Sequence, residues 1–104
     1  MENMFAGASG FNQPLNNWNT SKVEYMNGVF NEATSFNQPL NNWDTSKVKS
    51  FGWMFQDATS FNQDLSTWVM TGATTVSDML TNTALSTYNY NELLDKRSQQ
   101  AVKT

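Results

Sequence analysis

The chain has 104 residues, a net charge of −3, 38% hydrophobic residues and 13% aromatic ones, which suits one small domain with a modest core and not a disordered chain. Only 14% of residues are charged, so there is no basic stripe for a phosphate backbone, and nucleic acid is not an expected partner. Histidine and cysteine are absent, which removes the usual zinc ligands, a catalytic thiol and an imidazole base.

The opening MENMFAGASG has neither a basic start nor a long apolar centre, so no signal peptide is expected in it. No apolar run approaches the roughly 20 residues of a spanning helix, and direct membrane insertion is not expected. Met1, Met4 and Phe5 stand where Met26, Val29 and Phe30 stand 25 residues later. Residues 1–10 therefore read as a partial repeat, opening in mid-unit.

A full unit begins at Phe11 with FNQPLNNWNTSKV, which returns at Phe36 as FNQPLNNWDTSKV. Phe11, Phe36 and Phe61 mark a 25-residue period without insertion, and Leu15, Leu40 and Leu65 keep its register, as do Trp18, Trp43 and Trp68. Pro14 and Pro39 disfavour helix here, so a short strand is predicted around each leucine. In the second half of the unit Val23, Met26, Phe30 and Ala33 lie three and four residues apart, with Val29 beside them. That spacing predicts a short helix, with Ser21 as N-cap and Glu24 completing a capping box.

The unit 36–60 repeats the pattern through Val48, Phe51, Met54, Phe55 and Ala58, but Lys49 stands where Glu24 stood, so the box is lost. In the unit 61–85 Val69, Met70, Gly72 and Ala73 replace the Asp-Thr-Ser-Lys-Val segment. Beyond it, Tyr90, Leu93, Leu94 and Arg97 have helical spacing and predict a capping helix within 86–104. The expected fold is α/β: a leucine-rich-repeat-like solenoid of three to four 25-residue coils, each a short strand, turn and short helix, over residues 1–85 with a C-terminal cap.

The string LNNWDTSKV, followed by MF and then ATSFNQ, resembles the 25-residue repeat of bacterial surface lipoproteins, a group related to the leucine-rich repeats of the BspA type. Trp43, Ser46, Val48, Met54, Phe55, Ala58, Phe61 and Asn62 carry the likeness in the best-preserved unit. The resemblance implies a surface-displayed scaffold for protein interaction or adhesion, with no assigned catalysis. It implies a cell-surface or secreted setting within a longer parent protein; a stand-alone chain would be cytoplasmic.

Candidate site residues follow from what repeats and what does not. The periodic Trp18, Trp43 and Trp68 read either as core or as an aromatic ladder for sugar rings, the core being the more common use of large apolar residues at a repeat period. Trp53 occurs in one unit only and faces away from the Val48, Phe51 and Met54 stripe, which makes it a contact candidate. Asn16, Asn17, Asn41 and Asn42, with Gln13 and Gln38, should form polar rows that either bond one another or present an array to a protein or glycan. Asp44, Asp57, Asp64 and Asp78 lack the alternating spacing of a calcium loop, so neither a metal nor a cofactor is expected. Scattered carboxylates and hydroxyls give no nucleophile with a base, and no enzyme is expected. Met1, Met4, Phe5, Ala8 and Phe11 form an uncovered apolar edge, expected to join a second copy in a two-fold dimer.

Overall fold

The structure, a computed structural model, describes residues 1–86, 88 and 89. Where helices are predicted, the backbone instead makes a ribbon of overlapping turns. The amides of Met4, Ala6, Ala8 and Phe11 donate to the carbonyls three residues back, those of Met1, Asn3, Phe5 and Ala8. The amides between them, of Asn3, Phe5 and Gly7, donate to the carbonyls of Asn27, Val29 and Asn31 in the next coil at 2.9, 2.9 and 2.8 Å. Gly28, Phe30 and Glu32 bond Gly52, Met54 and Gln56 in the same way, and Trp53, Phe55 and Asp57 bond Ser77, Met79 and Thr81.

An α-helix would send each of these amides four residues back along its own chain. Here alternate amides close turns and the others tie coil to coil. Two columns of left-handed residues enforce the difference. Asn3, Gly28, Trp53 and Asp78 have φ of 55, 63, 42 and 54°, and Gly7, Glu32, Asp57 and Asn82 have 73, 61, 61 and 60°. Each is the third residue of a turn, where a type II turn needs positive φ and a right-handed helix cannot continue. Apart from Trp53 and Glu32, these positions hold Gly, Asn or Asp, the residues that tolerate this conformation best.

The expected α/β, leucine-rich-repeat-like solenoid of strands and helices is therefore corrected. Among the described residues, helix is confined to Tyr88 and Asn89, and β-structure to the isolated parallel bridges Tyr25 to Ser50 and Ser50 to Thr75. The strands predicted around Leu15, Leu40 and Leu65 do not form, because side chains take the place of a backbone ladder there. Asn12 Oδ1 accepts from the Asn37 amide at 2.8 Å and Asn37 Oδ1 from the Asn62 amide at 2.9 Å. Each leucine carbonyl instead closes a turn onto the tryptophan amide three residues on. The predicted capping box is also absent. Ser21 donates through both its amide and its hydroxyl to Asn19 Oδ1, an Asx turn that Ser46 repeats on Asp44, and Glu24 is drawn to Lys49 at 2.9 Å.

The core is a double column of phenylalanines. Rings of Phe5, Phe30 and Phe55 stack at 5.6 and 5.4 Å, and those of Phe11, Phe36 and Phe61 at 5.9 and 6.0 Å, so the residues that mark the 25-residue period form one continuous column. Within a coil the columns touch at 4.2 Å between Phe30 and Phe36 and at 4.1 Å between Phe55 and Phe61. Met26, Val29, Leu40, Met54 and Ala58 complete the buried interior, each large side chain contributing about 1.5–3 kcal/mol. Apart from Ser86, Tyr88 and Asn89, the predicted capping helix over 86–104 lies outside the described residues. The Ser86 amide continues the asparagine row by donating to Asn62 Oδ1 at 2.7 Å.

Candidate functional site

Trp53 is the most exposed tryptophan at 44%, and its place in the fold is set by the coil before it. A Cβ on Gly28 would come within 2.9 Å of Trp53 Nε1, so the indole lies over the bare glycine backbone of the neighbouring coil. The spacing that singled out Trp53 as facing away from the core stripe agrees with this position, since Met54 and Phe55 beside it are fully buried.

The other periodic tryptophans divide. Trp43 and Trp68 are core residues, and their indole N–H groups donate to the carbonyls of Leu15 and Leu40 at 2.8 and 2.9 Å. Trp18 is 43% exposed, and no described residue stands to it as Leu15 stands to Trp43. The sequence reading weighed Trp18 with Trp43 and Trp68 as core or as an aromatic ladder and left it out of the N-terminal edge. The missing signal was its order, as the first tryptophan of the series.

The amide rows bond along the stack. Asn16 Nδ2 donates to Asn41 Oδ1 at 2.9 Å, and Asn16 Oδ1 accepts from the Asn42 amide at 2.9 Å. Gln38 Nε2 donates to Asn12 Oδ1 at 3.1 Å, as Gln63 does to Asn37 at 2.9 Å. Gln13 and Asn17 are exposed and lie on the first of these coils. Beneath the rows, Thr20 and Thr45 are buried, and each hydroxyl bridges to the next coil: Thr45 Oγ1 accepts from the Val69 amide at 2.8 Å and donates to its carbonyl at 2.9 Å.

Of the predicted edge residues, Met4 is 51% exposed, while Met1, Phe5, Ala8 and Phe11 are half-buried. Phe5 stacks on Phe11 at 4.5 Å and touches Trp18 at 5.8 Å, so the edge is an ordered aromatic surface.

Elsewhere an open groove of about 340 Å³ is lined by Glu24, Ser46, Lys47, Val48, Lys49 and Gly72. Hydrogen bonding and the charge of Lys49 hold the Glu24 carboxyl below its usual range, and Glu24 in turn raises Lys49. Its carboxylate is thus engaged by a cation and not poised as a base. Among the described residues, no group of three or more Asp or Glu side chains is placed to hold a metal ion, and no helix is long and apolar enough to cross a membrane.

Coils in 25-residue register, joined by turns, asparagine rows and stacked rings, define a repeat protein with little regular secondary structure. The chain belongs to the family described as Mycoplasma protein of unknown function, DUF285, whose family model matches residues 1–93. No curated protein and no solved structure matches it.

Proposed function

We propose that this protein is a non-catalytic repeat scaffold for protein–protein interaction or adhesion, of the bacterial surface-protein type, with the Trp53 flank as its contact. The observation that carries the reading is the cost of Trp53. A bulky residue at φ 42° stands where the other coils have Asn3, Gly28 and Asp78, and left-handed backbone costs such a residue about 1–2 kcal/mol. Part of the indole lies over the Gly28 backbone, and the rest, 44% of the residue, stays open to solvent. Strain kept at an exposed aromatic points to use of the side chain, and tryptophan is prominent among residues that dominate binding energy at protein interfaces.

A glycan-binding use of the Trp and Asn rows has weaker support, since Trp43 and Trp68 are buried and Asn16 and Asn41 are bonded to one another. The test compares the wild type with Trp53→Gly on a panel of purified extracellular proteins and on a glycan array. Saturable protein binding that is lost in Trp53→Gly supports the proposal. Saturable binding confined to glycans transfers the site to sugars, and protein binding unchanged in Trp53→Gly removes Trp53 from the contact.

A further inference from the structure

Within the turn ribbon the coil-to-coil bonds have one polarity: Asn3, Phe5 and Gly7, and their counterparts in the next two coils, donate to the following coil, while outside these trios Met26 and Phe51 also donate forward and Lys49 and Thr74 donate back to the preceding coil. At the ends of the described stack this leaves two rows without partners. The Glu2, Met4 and Ala6 carbonyls are the counterparts, 25 residues earlier, of the Asn27, Val29 and Asn31 acceptors, and no described residue donates to them. The Asp78, Leu80 and Asn82 amides are the counterparts of the Trp53, Phe55 and Asp57 donors, and no described residue accepts from them.

We propose that these two rows are the halves of one self-association site, in which the Asp78, Leu80 and Asn82 amides of one copy donate to the Glu2, Met4 and Ala6 carbonyls of a second copy, head to tail. The occupant is a second copy of this chain because the contact continues the interface already present between its own coils. The spacing of alternate residues is the same on both rows, and the donors on one match the acceptors on the other. The apolar register agrees: Phe5, Phe30, Phe55 and Leu80 occupy one repeat position, and the two end members, Phe5 and Leu80, are half-buried while Phe30 and Phe55 are fully buried. Docking sets Leu80 against the next copy's Phe5 and extends that column. A two-fold contact that laid the N-terminal row on itself would instead oppose carbonyl to carbonyl with no donor between them. Because the two halves are different surfaces, the association is heterologous and continues beyond two copies unless it closes into a ring.

This site uses the coil edges and not the Trp53 flank, so it stands or falls separately from the contact proposed above. Sedimentation of the full 104-residue chain over a concentration series tests it, with expected mass rising past two copies. Leu80→Lys at one edge and Met4→Lys at the other should each abolish species above monomer at concentrations where the wild type assembles. Replacing the Met79–Leu80 peptide bond by an ester deletes the Leu80 donor, which the fold leaves unused, and keeps every side chain. Association should then weaken roughly tenfold. A wild type that is monomeric up to about millimolar concentration overturns the proposal. So does a dimer that survives Leu80→Lys, which would be the two-fold edge contact, or an ester variant that assembles as tightly as the wild type.

Discussion

The first coil and the second carry nearly the same letters and have different fates. Trp43 is 3% exposed with its indole N–H bonded to Leu15, whereas Trp18 is 43% exposed. Phe30 and Phe36 are fully buried, whereas their counterparts Phe5 and Phe11 are only half-buried. The local sequence does not differ enough to explain this. What differs is the neighbour on the N-terminal side: the second coil packs on the first, and no described residues pack on the first from that side. Burial in this fold is a property of neighbours, as expected where each unit contacts only the next.

The largest predicted effect is at the phenylalanine column. Phe30→Ala removes a ring stacked on Phe5, Phe36 and Phe55 and should cost about 3–5 kcal/mol. Phe5→Ala should cost less than half of that in the same urea titration, and equal losses would break the comparison. Next come two glycines with positive φ. Gly7 has open space around the position of a Cβ, while at Gly28 a Cβ would collide with the Asn3 amide and the Trp53 indole. Gly7→Ala should cost about 1–2 kcal/mol from backbone strain alone, and Gly28→Ala more. Adding Trp53→Gly to Gly28→Ala should narrow the gap in thermal melts.

A smaller contrast concerns the indole bond. Trp43→Phe removes one of the two donors to the Leu15 carbonyl, which keeps the Trp18 amide, and should cost about 0.5–1.5 kcal/mol, against about 0.5 kcal/mol or less for exposed Trp18→Phe. The smallest effect is electrostatic and compares Asn19 with Asp44, which close the same turn in successive coils. The Ser46 hydroxyl and amide lower the Asp44 carboxyl from its usual range, as Lys49 lowers Glu24. A carboxylate depressed in the folded state contributes stability above its unfolded pKa and loses it as pH falls through the folded value. Melting temperature should therefore decline on acidification through and below the ordinary carboxylate range. Asp44→Asn should flatten part of that decline while keeping the turn, as Asn19 already does; a steeper acid response in Asp44→Asn would refute the assignment. Lys49 is raised by Glu24, so its share is present below its unfolded pKa and is lost only as pH rises through the folded one.

The sequence by itself determined the register. Twenty-five residues separate Phe11 from Phe36, and the same interval separates Asn16 from its bonding partner Asn41. It also identified most of the inward set, since large apolar side chains must leave water whatever the backbone does. The exposure of Trp53 followed from the same pattern. The backbone conformation did not follow, because apolar residues three and four apart suit an α-helix and also suit a ribbon of turns that returns to the core every four residues. The discriminating letters were Asn3, Gly7, Gly28, Asp57, Asp78 and Asn82, set four apart within a coil and repeating between coils, and their positive φ has meaning only once alternate amides have a neighbouring coil to bond. Tertiary structure alone decided that point: a helix satisfies its amides locally, whereas this ribbon satisfies half of them through the next coil. The same dependence exposes Trp18 while burying Trp43, and leaves a row of acceptors at one edge and a row of donors at the other.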